Sequence, residues 1–458
     1  MTHSTAMKIV IIGDNLTAQA AAKALLQASN DITLVGENQK NLKTIALQAN
    51  IQTVCGQYTD AQTLAVAECA DAALVVAATS CSTTNFLLAQ MANKIFQVPT
   101  IISLLSDNIL SQIDTLCPPK ETPAITWINL DKIIGNNILN CVHHPQYLQY
   151  YPITTNTNIV CITATNSTKQ SSQSWLKENI DPANSQKIIA AIRDNSTIIQ
   201  PKYIHPEDLI VLLCTTTDCP LNPKTHIARK IEQIMIVGIT TTTEYIIEQL
   251  YHTHQLTVIE TNLKKAADLA QKYGQVTILE GDINDTALLV AEGLDTTDAF
   301  LALSSDDENN LISALQASSH QVKCIFTCVT KAELSCIVKK NALFCIEPHT
   351  VLVSQVLKAI YYPTLQHQVT LLNNQGGVII CTIHAHLSGK TIAYLQQKLP
   401  SNCTICFIHH GETATQARAK KILREHEQIT IAYCAQTNVH ELINIFMLPE
   451  QHLFFSHT

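Results

Sequence analysis

The chain has 458 residues, 46% of them apolar and 14% charged, and so exceeds the roughly 250–300 residues at which a single core stops growing. Its net charge is −8 and its arginines are only Arg193, Arg229, Arg418 and Arg424, so the clustered cations that neutralise a nucleic-acid backbone are missing. No run reaches the roughly 18–20 consecutive apolar residues of a bilayer-crossing helix, and Met1 to Met7 lacks the basic and apolar regions of a signal peptide.

Taken in chain order, the elements occur twice. Lys8-Ile9-Val10-Ile11-Ile12 is an apolar strand closed by Gly13, and Ile234-Met235-Ile236-Val237 is another closed by Gly238. A second strand follows in each half, Ile32 to Val35 and Leu256 to Ile259, and a third ends at Gly56 and at Gly281. Val75-Val76-Ala77-Ala78-Thr79 leads to Asn85, and Phe300-Leu301-Ala302-Leu303-Ser304 leads to Asn310. The pairs Gly13/Gly238, Gly56/Gly281 and Asn85/Asn310 share one offset of 225 residues, the mark of an internal duplication. Helical patterns fill the gaps, as at Thr17 to Ala28 and at Asn262 to Lys272, where Asn262 suits an N-cap.

Short apolar strands alternating with helices predict an α/β protein with two Rossmann-like, doubly wound parallel sheets. Each large domain ends in an apolar helix stopped near a proline, Ile133 to Val142 before Pro145 and Val351 to Ile360 before Pro363. The stretches that follow predict small α+β domains, with strands at Asn158 to Thr165, Lys187 to Ile192 and Asp208 to Leu213. Their counterparts are Val378 to Ile383, Cys403 to Ile408 and Gln428 to Tyr433, and single helices fall at Trp175 to Glu178 and Thr391 to Lys398. The expected organisation is therefore 7–125 and 230–350 for the large domains, and 145–220 and 366–450 for the small ones.

A glycine that ends a strand and opens a helix suits a phosphate turn, where backbone amides and a helix N-terminus face negative charge. The turns read Gly13-Asp14-Asn15-Leu16 and Gly238-Ile239-Thr240-Thr241, and both keep only the first glycine of the G-x-G-x-x-G fingerprint. Such glycines also serve as plain strand-end turns. Glu260, 22 residues past Gly238, stands where an acid bonds ribose hydroxyls, and Gly281-Asp282 ends the third strand, with Asp282 placed to face an adenine amino group and Ile283 adjoining the same site. In the first half Gly36 takes the place of that acid, with Glu37 one position late, and Thr79 and Ser304 end the fourth strands.

These residues resemble the TrkA family, the NAD-binding regulatory subunits of Trk potassium-uptake systems, built from tandem RCK domains. The likeness runs from Met7 to about Phe446 and rests on Met7 to Gly13, Ala77-Ala78-Thr79 with Asn85, Val237-Gly238, Gly281-Asp282 and Ser305-Asp306-Asp307-Glu308-Asn309-Asn310. The resemblance implies NAD(H) or ATP/ADP bound in the large domains, a homotetrameric ring and a membrane potassium-translocating partner. It also implies a cytoplasmic position beneath that partner, regulation and no catalysis. A nicotinamide-dependent oxidoreductase and a ring subunit that no longer binds nucleotide are the rival readings. Departures are the reduced glycine turns, the acid absent at Gly36, and the lack of arginine after the fifth strand, where the second half has Lys331.

Two further patterns are set aside. Ser388-Gly389-Lys390-Thr391 lacks the leading glycine of a P-loop and reads as a helix start. Cys403 and Cys406 fall on the strand Cys403 to Ile408, where positions three apart face opposite sides, so with His409 and His410 they read as a core cysteine pair beside a polar turn, against a zinc site.

Overall fold

The computed structural model describes residues 7–26, 31–49, 51–116, 125–154, 157–164, 168–179, 187–193, 196–206, 208–214, 230–340, 343–370, 376–410, 413–434 and 437–447. The N-terminal stretch 1–6, Gln27 and Ala28 of the first expected helix, and Thr165 lie outside the described residues.

The first large domain contains β1 (Lys8–Ile12), β2 (Asp31–Gly36), β3 (Gln52–Cys55), β4 (Leu74–Ala77), β5 (Thr100–Leu104) and β6 (Ile125–Ile128), in the order β3-β2-β1-β4-β5-β6. The first small domain follows with β7 (Gln149–Thr154), β8 (Thr157–Thr163), β9 (Gln170–Ser171), β10 (Lys187–Arg193), β11 (Ser196–Ile199), β12 (Tyr203–Ile204) and β13 (Leu209–Cys214). The second large domain repeats the first with β14 (Gln233–Val237), β15 (Gln255–Glu260), β16 (Thr277–Glu280), β17 (Ala299–Ala302), β18 (Cys324–Cys328) and β19 (Phe344–Ile346), ordered β16-β15-β14-β17-β18-β19. The second small domain has β20 (Leu365–Thr370), β21 (Gly376–Thr382), β22 (Cys403–His410), β23 (Thr413–Gln416) and β24 (Gln428–Cys434).

Both large sheets are parallel throughout. Helices cover both faces, so their central strands are buried runs such as Ile9 to Ile12 and Ile234 to Val237. The main small sheets are antiparallel and of matching topology, β11-β10-β13-β8-β7 and β23-β22-β24-β21-β20. The doubly wound, duplicated α/β architecture expected from the sequence is thus observed.

Two helices begin earlier than their apolar patterns suggest. Asn129 caps the helix Leu130–His143 by accepting the Lys132 amide at 2.9 Å, which brings the polar first turn into it. Pro348 opens the helix Pro348–Ile360, where its fixed φ and missing N–H suit a first turn.

These two helices leave the domain that precedes them. Ile134, Ile138, Leu139 and Val142 of the helix Leu130–His143 pack into the second large domain, with Ile246, Ile247 and Leu250. Leu352, Val356 and Leu357 of the helix Pro348–Ile360 pack with Ala18, Ala21, Ala22 and Leu25 of the first large domain, and with the second small domain. The small sheets share a further core, in which Ile159, Ile189 and Val211 meet Val378, Ile380 and Phe407. The duplication therefore closes on itself by exchange of equivalent helices.

The exchange is tight at Gly135, where a Cβ would lie 2.5 Å from Tyr245 Cδ1. The Tyr245 hydroxyl donates to Asn136 Oδ1 at 2.7 Å on the same contact. Gly135→Leu should lower stability by about 1–3 kcal/mol through overpacking, and adding Tyr245→Ala should recover part of the loss in urea unfolding. An unchanged midpoint in the single variant would contradict this packing.

Candidate functional site

In each large sheet the strand order reverses between the first and fourth strands, which opens a crevice at their carboxyl ends. The glycine turn lies on that crevice because nothing larger fits there. Gly13 has φ 144° and a Cβ on it would stand 2.5 Å from the Ala78 carbonyl oxygen; Gly238 has φ 88° and its Cβ would stand 2.4 Å from Ser304 Cα.

A buried asparagine holds the other side of each crevice. Asn310 Oδ1 accepts the Ser304 amide at 2.8 Å, and its Nδ2 donates to the Ser304 and Cys328 carbonyls, both at 2.9 Å. Asn85 repeats this, accepting from the Thr79 amide at 2.8 Å and hydroxyl at 2.6 Å and donating to the Thr79 and Leu104 carbonyls at 3.0 and 2.9 Å. Sequence reasoning found both asparagines as landmarks of the repeat but gave them no role. Each stitches the end of the fourth strand to the end of the fifth.

In the second domain the turn runs into the helix Thr241–Leu250, capped by Thr240, which accepts the Thr243 amide at 3.3 Å. Glu260, 6% exposed, ends β15 and binds the turn directly, its Oε2 accepting the Ile239 amide at 2.6 Å and its Oε1 the Asn262 amide at 2.8 Å. Lys265 Nζ donates to the Ile239 carbonyl at 3.1 Å, which puts a cation at the turn that the sequence reading missed. Asp282 is exposed and its Oδ1 accepts the Asn284 amide at 2.9 Å. Ile239 and Ile283 direct their side chains into the core. Thr240, Thr241, Glu260 and Ser304 thus surround one turn.

The first domain is built differently. Asn15 caps the helix Leu16–Leu26, accepting the Ala18 amide at 2.9 Å while its Nδ2 donates to the Ala78 carbonyl at 2.7 Å. Asp14 Oδ2 accepts the Asn38 amide at 2.7 Å, and Asp14 Oδ1 accepts the Tyr58 hydroxyl at 2.8 Å. Glu37 is exposed, and its Oε1 accepts the Tyr58 amide at 3.1 Å. Thr79 is buried with its hydroxyl on Asn85.

Both turns open into one cleft of about 840 Å³, lined by Asn15, Leu16 and Thr17 on one side and Thr240 and Thr241 on the other. Asp131, from the exchanged helix Leu130–His143, reaches across the cleft and accepts the Thr242 hydroxyl at 2.8 Å. Asp307 faces the same space and accepts the Thr330 and Lys331 amides at 2.9 and 2.8 Å.

The two patterns set aside remain structural. Thr391 caps the helix Ile392–Lys398, accepting the Tyr394 amide at 3.2 Å. Cys403 and Cys406 pack into different cores on opposite faces of β22. Among the described residues no group of three or more His, Cys, Asp or Glu is placed to hold a metal ion, and no helix is long and apolar enough to cross a membrane.

Residues 9–113 and 234–342 each match the TrkA-N domain. The two large domains are thus two copies of a TrkA-N domain. The chain is 22% identical over 455 residues to the Trk system potassium uptake protein TrkA of Halomonas elongata, covering 96% of this chain and 99% of that one. The protein of the same name from Haemophilus influenzae is 25% identical over 455 residues, covering 96% and 98%. Among solved structures, the GsuK RCK domain superposes with a TM-score of 0.59 at 15% identity over 97% of this chain and 96% of its own. The GsuK channel bound to NAD gives 0.59 at 16% identity over 100% and 80%. These structures share the fold of the two TrkA-N domains and their small partners.

Two outcomes test this geometry. Asn310→Ala leaves the Ser304 amide and two strand-end carbonyls without their partner and should cost about 1–3 kcal/mol in urea unfolding; no loss would contradict the stitching role. His409, 3% exposed on β22, has its pKa lowered to about 4 by burial, with His367 and His410 adding repulsion. The unfolded chain therefore binds a proton that the folded chain refuses. Stability should fall by up to about 1.4 kcal/mol per pH unit as pH drops from about 6.5 towards 4. His409→Gln should remove that share of the slope, and an unaltered slope would contradict it.

Proposed function

We propose that this chain is the regulatory subunit of a Trk-type potassium-uptake system, which binds NAD(H) or ATP/ADP and gates a membrane potassium-translocating partner. The reading is carried by one observation above all, the buried Glu260 carboxylate fastened to the amide after Gly238 at the point where strand order reverses. A carboxylate so placed has oxygen lone pairs for a ribose diol, and the turn beside it offers the N-terminus of a ten-residue helix to phosphate. Lys265 adds a cation there, and exposed Asp282 stands at the end of β16 for an adenine amino group. The cradle behind Gly238 is of the kind that close backbone approach to a pyrophosphate requires.

The names of the relatives from Halomonas elongata and Haemophilus influenzae, and the NAD in the GsuK channel structure, support the assignment of system and ligand class. The chain acts from the water side of the membrane as a tetrameric ring. The domains run 7–125, 145–220, 230–350 and 366–450, two nucleotide-binding units each followed by a small one.

The proposed mechanism needs no bond to break. Ligand at the second turn acts on the start of the helix Thr241–Leu250, and Thr242 is tied to Asp131 on the helix exchanged from the first domain. A ligand shifts the gate by its difference in affinity for two arrangements of these helices. NADH and ATP titrations of the full chain test the site. Glu260→Ala should weaken binding about tenfold or more, the order expected from losing charge-assisted hydrogen bonds. Asp282→Ala should weaken it less, and affinities equal to wild type in both variants would remove the assignment.

A further inference from the structure

The two large domains put a carboxylate at the same place from opposite sides. Aligned strand by strand, Gly36 occupies the position of Glu260, and Asp14 that of Ile239. The second domain has its acid on the strand and an apolar residue on the turn; the first has glycine on the strand and its acid on the turn. Gly36 is what admits the reversal, since a Cβ on it would stand 2.8 Å from Asp14 Cβ. The hydrogen bonds coincide as well. Asp14 Oδ2 accepts from Asn38 at 2.7 Å just as Glu260 Oε1 accepts from Asn262 at 2.8 Å, and both asparagines cap the helix that follows.

The copies part at the other oxygen. Asp14 Oδ1 is taken by the Tyr58 phenol at 2.8 Å. The equivalent of Tyr58 in the second domain is Ile283, 2% exposed in the core and without a polar group to offer. Tyr58 is fixed from behind, its amide on Glu37 and its ring against the core that holds Val35, Leu64 and Val75. Burial and the bond to Asp14 both push the phenol pKa up, so it remains a protonated donor.

We propose that Tyr58 stands in for a ribose hydroxyl, closing the adenosine end of the first domain from within and leaving the chain one site for an adenine nucleotide, in the second domain. A nucleoside diol entering the first domain would have to displace the phenol from Asp14 and the ring from the space beside it. This inference rests on the nucleotide reading above and adds its stoichiometry. It also makes the first domain the fixed partner, its carboxylate permanently satisfied, against which the second responds.

Calorimetric titration of the full chain with NADH, and separately with ATP, reads the number of sites. The wild type should bind one nucleotide per chain, and Glu260→Ala should bind it about tenfold or more weakly. Tyr58→Ile, which installs the second domain's residue, should bind two, and Tyr58→Ile with Glu260→Ala should bind two with one of them weakened to the same extent. Two sites in the wild type with only one of them weakened in Glu260→Ala would overturn the closure while preserving the nucleotide reading. No binding by the wild type would overturn both. A count that stays at one in folded Tyr58→Ile would also sink the proposal, with folding checked by far-UV circular dichroism. Should that variant not fold, Tyr58→Phe keeps the ring and releases the carboxylate. It should then bind a second nucleotide more weakly than the first, and a count of one would overturn the proposal.

Discussion

In each large domain the turn after the first strand has to pass against the end of the fourth, so closely that a single Cβ at Gly13 or Gly238 would collide with backbone. That contact leaves backbone amides at the mouth of the sheet without strand partners, and a buried amide must find an acceptor. The chain meets the requirement with one carboxylate per domain, Glu260 or Asp14, aimed at the amides of the turn or of the helix after the second strand. Everything proposed for ligand binding follows from where that carboxylate's remaining oxygen capacity points.

The exchanged helices explain why such a site can regulate. Helix Leu130–His143 belongs to the first half by sequence and to the second by packing, and Asp131 at its start bonds Thr242 beside the second turn. A ligand at that turn therefore acts on a contact between the domains as well as within one. The acidic residues of the cleft, Asp14, Asp131 and Asp307, are already occupied by hydroxyls and by backbone amides. Their partners blunt the repulsion a phosphate would otherwise meet, while Lys265 supplies attraction near the turn.

Much of this was legible in the residues. The offset shared by the paired glycines and asparagines, the buried runs of the central strands and the Asn262 cap all gave local signals, and each corresponds to an element observed here. Glu260 was visible because it lies on the strand end where the pattern places an acid. Asp14 was identified as a turn residue and not as the counterpart of that acid, because the exchange with Gly36 conserves a position in space and not one in the chain. The only sequence trace of it is the pairing of an acid after Gly13 with a glycine at the end of β2, against Ile239 with Glu260. The helix exchange was hidden for a related reason. Periodicity shows that Ile134, Ile138 and Val142 share an apolar face, but not which domain covers it.

Amide hydrogen exchange on the full chain, with and without saturating NADH or ATP, bears most directly on the claim that ligand at the second turn acts across the domain boundary. Slower exchange should appear in 238–243 and in the exchanged helix 130–143, with 13–18 unaltered. Protection centred on 13–18, or no change in either segment at saturation, would contradict the account.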